Sequence, residues 1–107
     1  MANNFVRQGA TGTGTGVDWT DAFTALPAVL TRGDTYYIAD GAYAAYTFDD
    51  AVSGTVLITV KKATGADHGT EIGWLASYGD GTADWTGWTF SSNYWEIDGQ
   101  VGAWASD

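Results

Sequence analysis

An all-β domain is the fold class that this sequence predicts, and three observations predict it. Aromatic residues make up 15% of the chain while charged residues reach only 16%, a composition too rich in rings for a disordered segment. Glycine, threonine and aromatics abound and Leu, Glu and Lys are scarce, which disfavours helix and favours strands separated by tight turns. Short strand-like runs also end repeatedly in turn signals, among them Asp40-Gly41 and Asp98-Gly99. At 107 residues folding buries about 60–70% of the unfolded surface, enough for one modest core and no second domain.

Taken in order, residues 9–16 read Gly-Ala-Thr-Gly-Thr-Gly-Thr-Gly. No Gly-Lys-Ser/Thr follows, so this is an extended loop that needs glycine at positive φ rather than a phosphate cradle. Asp18 then stands where a helix cap would, Asp21 falls in the first turn, and Ala22, Phe23, Leu26 and Leu30 follow at helical spacing. Pro27 interrupts the run, which predicts a short helix near residues 19–26 with Phe23 and Leu26 buried. Strands are expected at residues 35–39, 43–48 and 55–62, the last alternating Val56, Ile58 and Val60 on one face with Leu57, Thr59 and Lys61 on the other. Residues 63–84 form a long irregular stretch, a length uncommon unless the loop is functional or packed by its own side chains. Strands resume at residues 85–90 and 94–98.

One internal echo organises these strands. Tyr36-Tyr37-Ile38-Ala39-Asp40-Gly41 matches Tyr94-Trp95-Glu96-Ile97-Asp98-Gly99 as aromatic, aromatic, any residue, apolar, Asp, Gly. Short strands recurring with Asp-Gly corners suit a solenoid, in which each coil buries its inward side chains against its neighbours and a terminal cap covers the first coil. A single domain over residues 1–107 follows, with residues 1–33 as a cap carrying the helix and residues 34–107 as the first coils.

The run Asp18-Trp19-Thr20-Asp21-Ala22-Phe23 to Leu30, then Arg32 to Gly41, Ile58 to Thr64 and Tyr94 to Gln100, resembles the N-terminal part of right-handed parallel β-helix proteins. This is the pectate-lyase-like group, which includes polysaccharide lyases, glycoside hydrolases and phage tailspikes. The resemblance covers nearly the whole chain and speaks to fold rather than activity. It implies the cap and first coils of a longer solenoid, whose catalytic carboxylates, arginines and calcium ligands generally lie in later coils.

Charge excludes several functions. The formal net charge is -9, which repels phosphate backbones and anionic lipid, and the four cations Arg7, Arg32, Lys61 and Lys62 form no basic stripe. Neither nucleic acid nor a membrane is an expected partner. Cysteine is absent, so no disulfide framework or thiolate metal site exists. No apolar run approaches the roughly 20 residues of a membrane span, and residues 1–5 lack the basic and apolar regions of a signal peptide.

Few side chains suggest chemistry. Asp49 and Asp50 are adjacent and are expected to cap backbone N–H groups in a turn rather than form the spaced pair that glycosidase chemistry needs. His68, the single histidine, sits between Asp67 and Gly69 without a nucleophile elbow and reads as a turn residue. Asp80 and Asp84 are weak calcium candidates, because their spacing is not that of an EF-hand loop. Trp74, Trp85 and Trp88 are candidates for sugar stacking where their rings face outward, whereas inward rings are simply core. Tyr94, Trp95, Ile97 and Trp104 mark a candidate assembly edge, since the last coil of a parallel solenoid leaves backbone groups unpaired.

The expected function is a structural or assembly segment of a β-solenoid protein, such as an extracellular or phage fibre component that joins neighbouring chains through its open end. Partners would be other protein chains, as a homo-oligomer, a filament or downstream coils of a parent, with polysaccharide as a second class. No catalytic residue and no cofactor are expected in this chain. Two alternatives are the non-catalytic front of a polysaccharide lyase or hydrolase and a small carbohydrate-binding module.

Overall fold

Short parallel strands carry the fold of the computed structural model, which describes residues 2–99 and the backbone of residues 104–106. The strands are β1 (Asn3–Val6), β2 (Thr35–Ile38), β3 (Gly41–Tyr43), β4 (Tyr46–Phe48), β5 (Ile58–Lys62), β6 (Ala83–Trp85), β7 (Trp88–Phe90), β8 (Trp95–Asp98) and β9 (Trp104–Ser106). They form three sheets in the orders β1-β2-β5-β8, β3-β6-β9 and β4-β7. Every strand pair among the described residues is parallel. The chain visits the first, second and third sheets in β2, β3 and β4, then again in β5, β6 and β7. The domain is all-β, as its composition predicts.

Alternation along the first sheet assigns two cores. Val6, Ile38, Ile58 and Val60 are wholly buried on one face, with Tyr36, Tyr43, Phe48, Ala83 and Trp85. Phe5 and Tyr37, one residue out of phase, point to the other face and pack with Trp19, Ala22, Ala39 and Ala63. This first sheet is therefore covered on both faces.

Two strands expected as single runs, residues 43–48 and 85–90, are each broken by a corner, at residues 44–45 and 86–87. The corners explain the aromatic spacing. Tyr43 and Phe48 are both buried although an unbroken strand would point them in opposite directions, and the same corner lets Trp85 and Trp88 both reach the core. The third expected strand begins at Ile58 rather than residue 55, because Val56 N instead donates to Ser53 O (3.1 Å) in a turn.

The expected helix near residues 19–26 is absent. The one helical element among the described residues is a 3-10 turn at Ala76–Tyr78. The capping geometry exists locally, with Asp18 Oδ1 accepting from Asp21 N at 2.8 Å. The backbone of the segment pairs elsewhere, however. Phe23 N donates to Phe5 O (2.9 Å), Arg7 N to Phe23 O (2.7 Å) and Trp19 N to Ile72 O (3.1 Å), and Val6 and Phe23 form a parallel bridge. Strand β1, which the sequence reading did not anticipate, outcompetes the intrahelical bonds that Pro27 would in any case have curtailed. The segment still covers the core through Leu26 (7% exposed) and Leu30 (4%), while Phe23 is only half-buried. Gly16 is needed where it passes, since its φ is +79° and a side chain there would collide with the Phe23 ring.

Tyr43 makes the core sensitive to alkali. Its hydroxyl donates to Ala39 O (2.9 Å) and accepts from Gln8 N (3.3 Å). Burial pushes this phenol up to about 12, with Asp40 reinforcing and Gln8 and Arg7 opposing. An unfolded tyrosine ionises near 10, so the stabilisation is complete below about pH 10 and is lost as pH rises toward 12. Across that window the wild type is expected to lose roughly 3 kcal/mol more than Tyr43→Phe, measured from urea midpoints at stepped pH. Parallel curves for the two proteins would contradict this.

Candidate functional site

Two places on the molecule concentrate unusual features: a polar cleft on the outer face of the first sheet, and the edge formed by β7, β8 and β9. The cleft grows from one register row, in which Phe5, Tyr37, Lys61 and Asp98 lie side by side across four strands. The loop after β5 folds back over this row. Asp67 then accepts from the Tyr37 hydroxyl at 3.0 Å and from Lys61 Nζ at 2.7 Å. Burial first, and then the Asp67 carboxylate, raises Tyr37 above its ordinary range. The hydrogen bond to Asp67 likewise raises Lys61, with Tyr37 and Asp98 adding to it and burial opposing.

Beside this pair the loop makes a cavity of about 480 Å³, lined by Asn3, Tyr37, Asp67, His68, Thr70 and Glu71 among others. Gly69 admits the approach, with φ +74° and the Phe5 and Tyr37 rings 2.8 and 2.9 Å from where a Cβ would stand. His68 lies flat on Trp74, ring centroids 4.0 Å apart at 2°. Its Nδ1 faces Thr64 O (3.0 Å) and its Nε2 faces Glu71 Oε1 (2.5 Å). Neither nitrogen faces a serine or threonine hydroxyl, so the arrangement orders the loop and supplies no nucleophile and base couple.

The tryptophan candidates divide. Trp85 is 3% exposed and stacks on Tyr43 at 4.8 Å inside the core. Trp88 is half-buried against the same core. Trp74 is half-buried, with His68 on its face and Trp19 at 5.2 Å. The three do not share one surface: Trp74 belongs to the outer cluster and the other two to the inner one. Asp84 accepts from its neighbour Thr82 at 2.8 Å, and no group of three His, Asp or Glu residues able to hold a metal exists among the described residues. Asp50 does cap backbone, accepting from Leu30 N at 2.8 Å.

At the other place, β8, β9 and β7 each stand last in their sheets. Tyr94 is exposed at 42% and holds φ 65°, rare for a bulky residue, with its carbonyl gripped by Arg32 Nη1 at 2.6 Å. Arg32 also donates to Ala51 O and Asp50 O and lies 4.8 Å over the Trp95 ring. Trp95 and Ile97 are half-buried and pack on the core. The Trp104 side chain lies outside the described residues, although its backbone pairs with Ala83.

Sequence reasoning missed the cleft. Lys61 was legible as the outward neighbour of Val60, but nothing in the local pattern of residues 63–71 shows which carboxylate returns to it. Among the described residues no helix is long and apolar enough to cross a membrane. No protein-family model, curated protein or solved structure matches the chain.

Proposed function

We propose that this chain is a structural and assembly segment of a right-handed parallel β-solenoid, of the kind that builds extracellular or virion fibres, and that it joins neighbouring chains through the edge formed by β7, β8 and β9. The solenoid reading is supported by wholly parallel pairing and by the repeated order in which the chain visits the three sheets. The right hand follows from the general rule for parallel crossovers.

One observation carries the assembly role. Inward positions that are fully buried in one strand become exposed in the register partner at the edge. Phe48 is 0% exposed and its partner Phe90 is 49%; Ile58 and Val60 are 0%, while their partners Trp95 and Ile97 are half-buried. Among the described residues no strand follows β7, β8 or β9 in its sheet, and an edge of that kind recruits further strands. Sugar stacking on Trp74, Trp85 and Trp88 has less support, since the Trp85 ring is enclosed and His68 occupies a face of Trp74.

The net charge of -9 opposes association, so salt that screens it should promote assembly. Light scattering is expected to show a mass above that of one chain, rising with ionic strength, and protection of β8 amides from exchange. A monodisperse monomer at both low and high salt would overturn the proposal.

A further inference from the structure

Among the buried groups outside the cleft and the edge, Lys62 stands apart. Its side chain is 0% exposed, and its Nζ lies 2.5 Å from Asp40 Oδ1, on a carboxylate that is itself only 19% exposed. The pair joins two neighbouring turns of the chain, because Lys62 ends β5 and Asp40 follows β2, with Ile38 opposite Lys62 in register. Gly81 N donates to the second carboxylate oxygen, Oδ2, at 2.6 Å. Ala63 O accepts from Nζ at 2.7 Å.

We infer that Lys62 and Asp40 condense into an intramolecular amide that covalently ties the two turns. Transfer of one proton from Nζ to Oδ1 converts the ion pair into a neutral amine and acid. The Nζ lone pair then attacks Cγ and the Nζ–Cγ bond forms. Charge that develops on Oδ2 meets the Gly81 N–H, in the manner of an oxyanion donor. The Cγ–Oδ1 bond breaks and Oδ1 departs with both protons lost by Nζ, as one water. One N–H remains on the amide and nothing is oxidised or reduced. Holding amine and carboxyl in contact replaces a collision between separate molecules, which accounts for reaction without an external catalyst.

The protein contains its own control. Lys61 and Asp67 pair at 2.7 Å, but with side chains 25% and 36% exposed; water solvates both charges there, and no condensation follows.

Intact mass spectrometry of the full denatured chain tests this. The wild type is expected to be one water lighter than its sequence, and digestion should yield a branched peptide joining Lys62 to Asp40 that survives mild alkali. Lys62→Arg, whose guanidinium does not condense, is expected to keep the full sequence mass. A wild-type mass equal to the sequence would overturn the proposal even if the variant fails to fold. So would a branch at Lys61, or a water loss that mild alkali reverses, which marks a succinimide at Asp40-Gly41 instead.

Discussion

Asp40→Ala is expected to lower the unfolding free energy by about 3–5 kcal/mol, because it removes the opposite charge from the buried Lys62 ammonium and leaves it the Ala63 carbonyl. Lys62 has no exposed side-chain surface and Asp40 retains 19%, so the two partners are not equivalent. Lys62→Met should cost less, since the Asp40 carboxylate keeps the Gly81 N–H and some water. The double variant Asp40→Ala, Lys62→Met is expected to recover part of the loss, as replacement of a whole buried pair by apolar groups often does. The order holds whether the two residues meet as ions or as an amide, since the aspartate removed is the partner in both. Urea unfolding at neutral pH measures it. Equal losses in the two single variants would show that burial of the ammonium is not what dominates.

Trp19→Ala is expected to be comparably severe, at about 3–5 kcal/mol. The ring is fully buried between Phe5, at 5.0 Å, and Trp74, at 5.2 Å. Its Nε1 donates to His68 O at 3.0 Å, and its own backbone N donates to Ile72 O. The variant therefore loses core volume and removes one of the two donors of His68 O, which keeps Thr70 N at 2.8 Å. That loop forms the cleft, so amide exchange over residues 64–74 should accelerate beyond what the global loss explains, whereas Trp19→Phe should keep much of the packing. A loss under about 1 kcal/mol, or unchanged exchange in the loop, would show that Trp19 does not anchor it.

Legibility varied with how local the cause was. The strand at Ile58–Lys62 was readable because Ile58 and Val60 alternate with Thr59 and Lys61, and alternation is a property of the chain itself. The helix near residues 19–26 was also a fair local reading: the Asp18 cap is present. It failed because Phe23 exchanges backbone bonds with Phe5 and Arg7, at a strand far back in sequence, and tertiary pairing overrides a weak propensity. Strand β1 went unread for the same reason, since Asn3–Val6 is short and half polar, and only β2 beside it makes it a strand. In the cleft, Tyr37 and Lys61 lie on readable strands, but their meeting with Asp67 depends on how an irregular loop returns.

The sequence alone determined the all-β class, the turn positions rich in glycine and aspartate, the absence of cysteine chemistry and the acidic charge that screening must overcome. These follow from composition and from periods of two residues, which need no partner to be read. Only the tertiary structure decided that Trp85 is core while Trp74 lies under His68, that Arg32 ties the loops around Asp50 and Tyr94, and that Lys62 is wholly enclosed. In the alternating pattern Lys62 occupies an inward position, and the opposite charge that meets it there comes from Asp40, more than twenty residues earlier. Which side chain compensates a buried charge is set by the register between distant strands, and register is a relation that no local stretch of sequence contains.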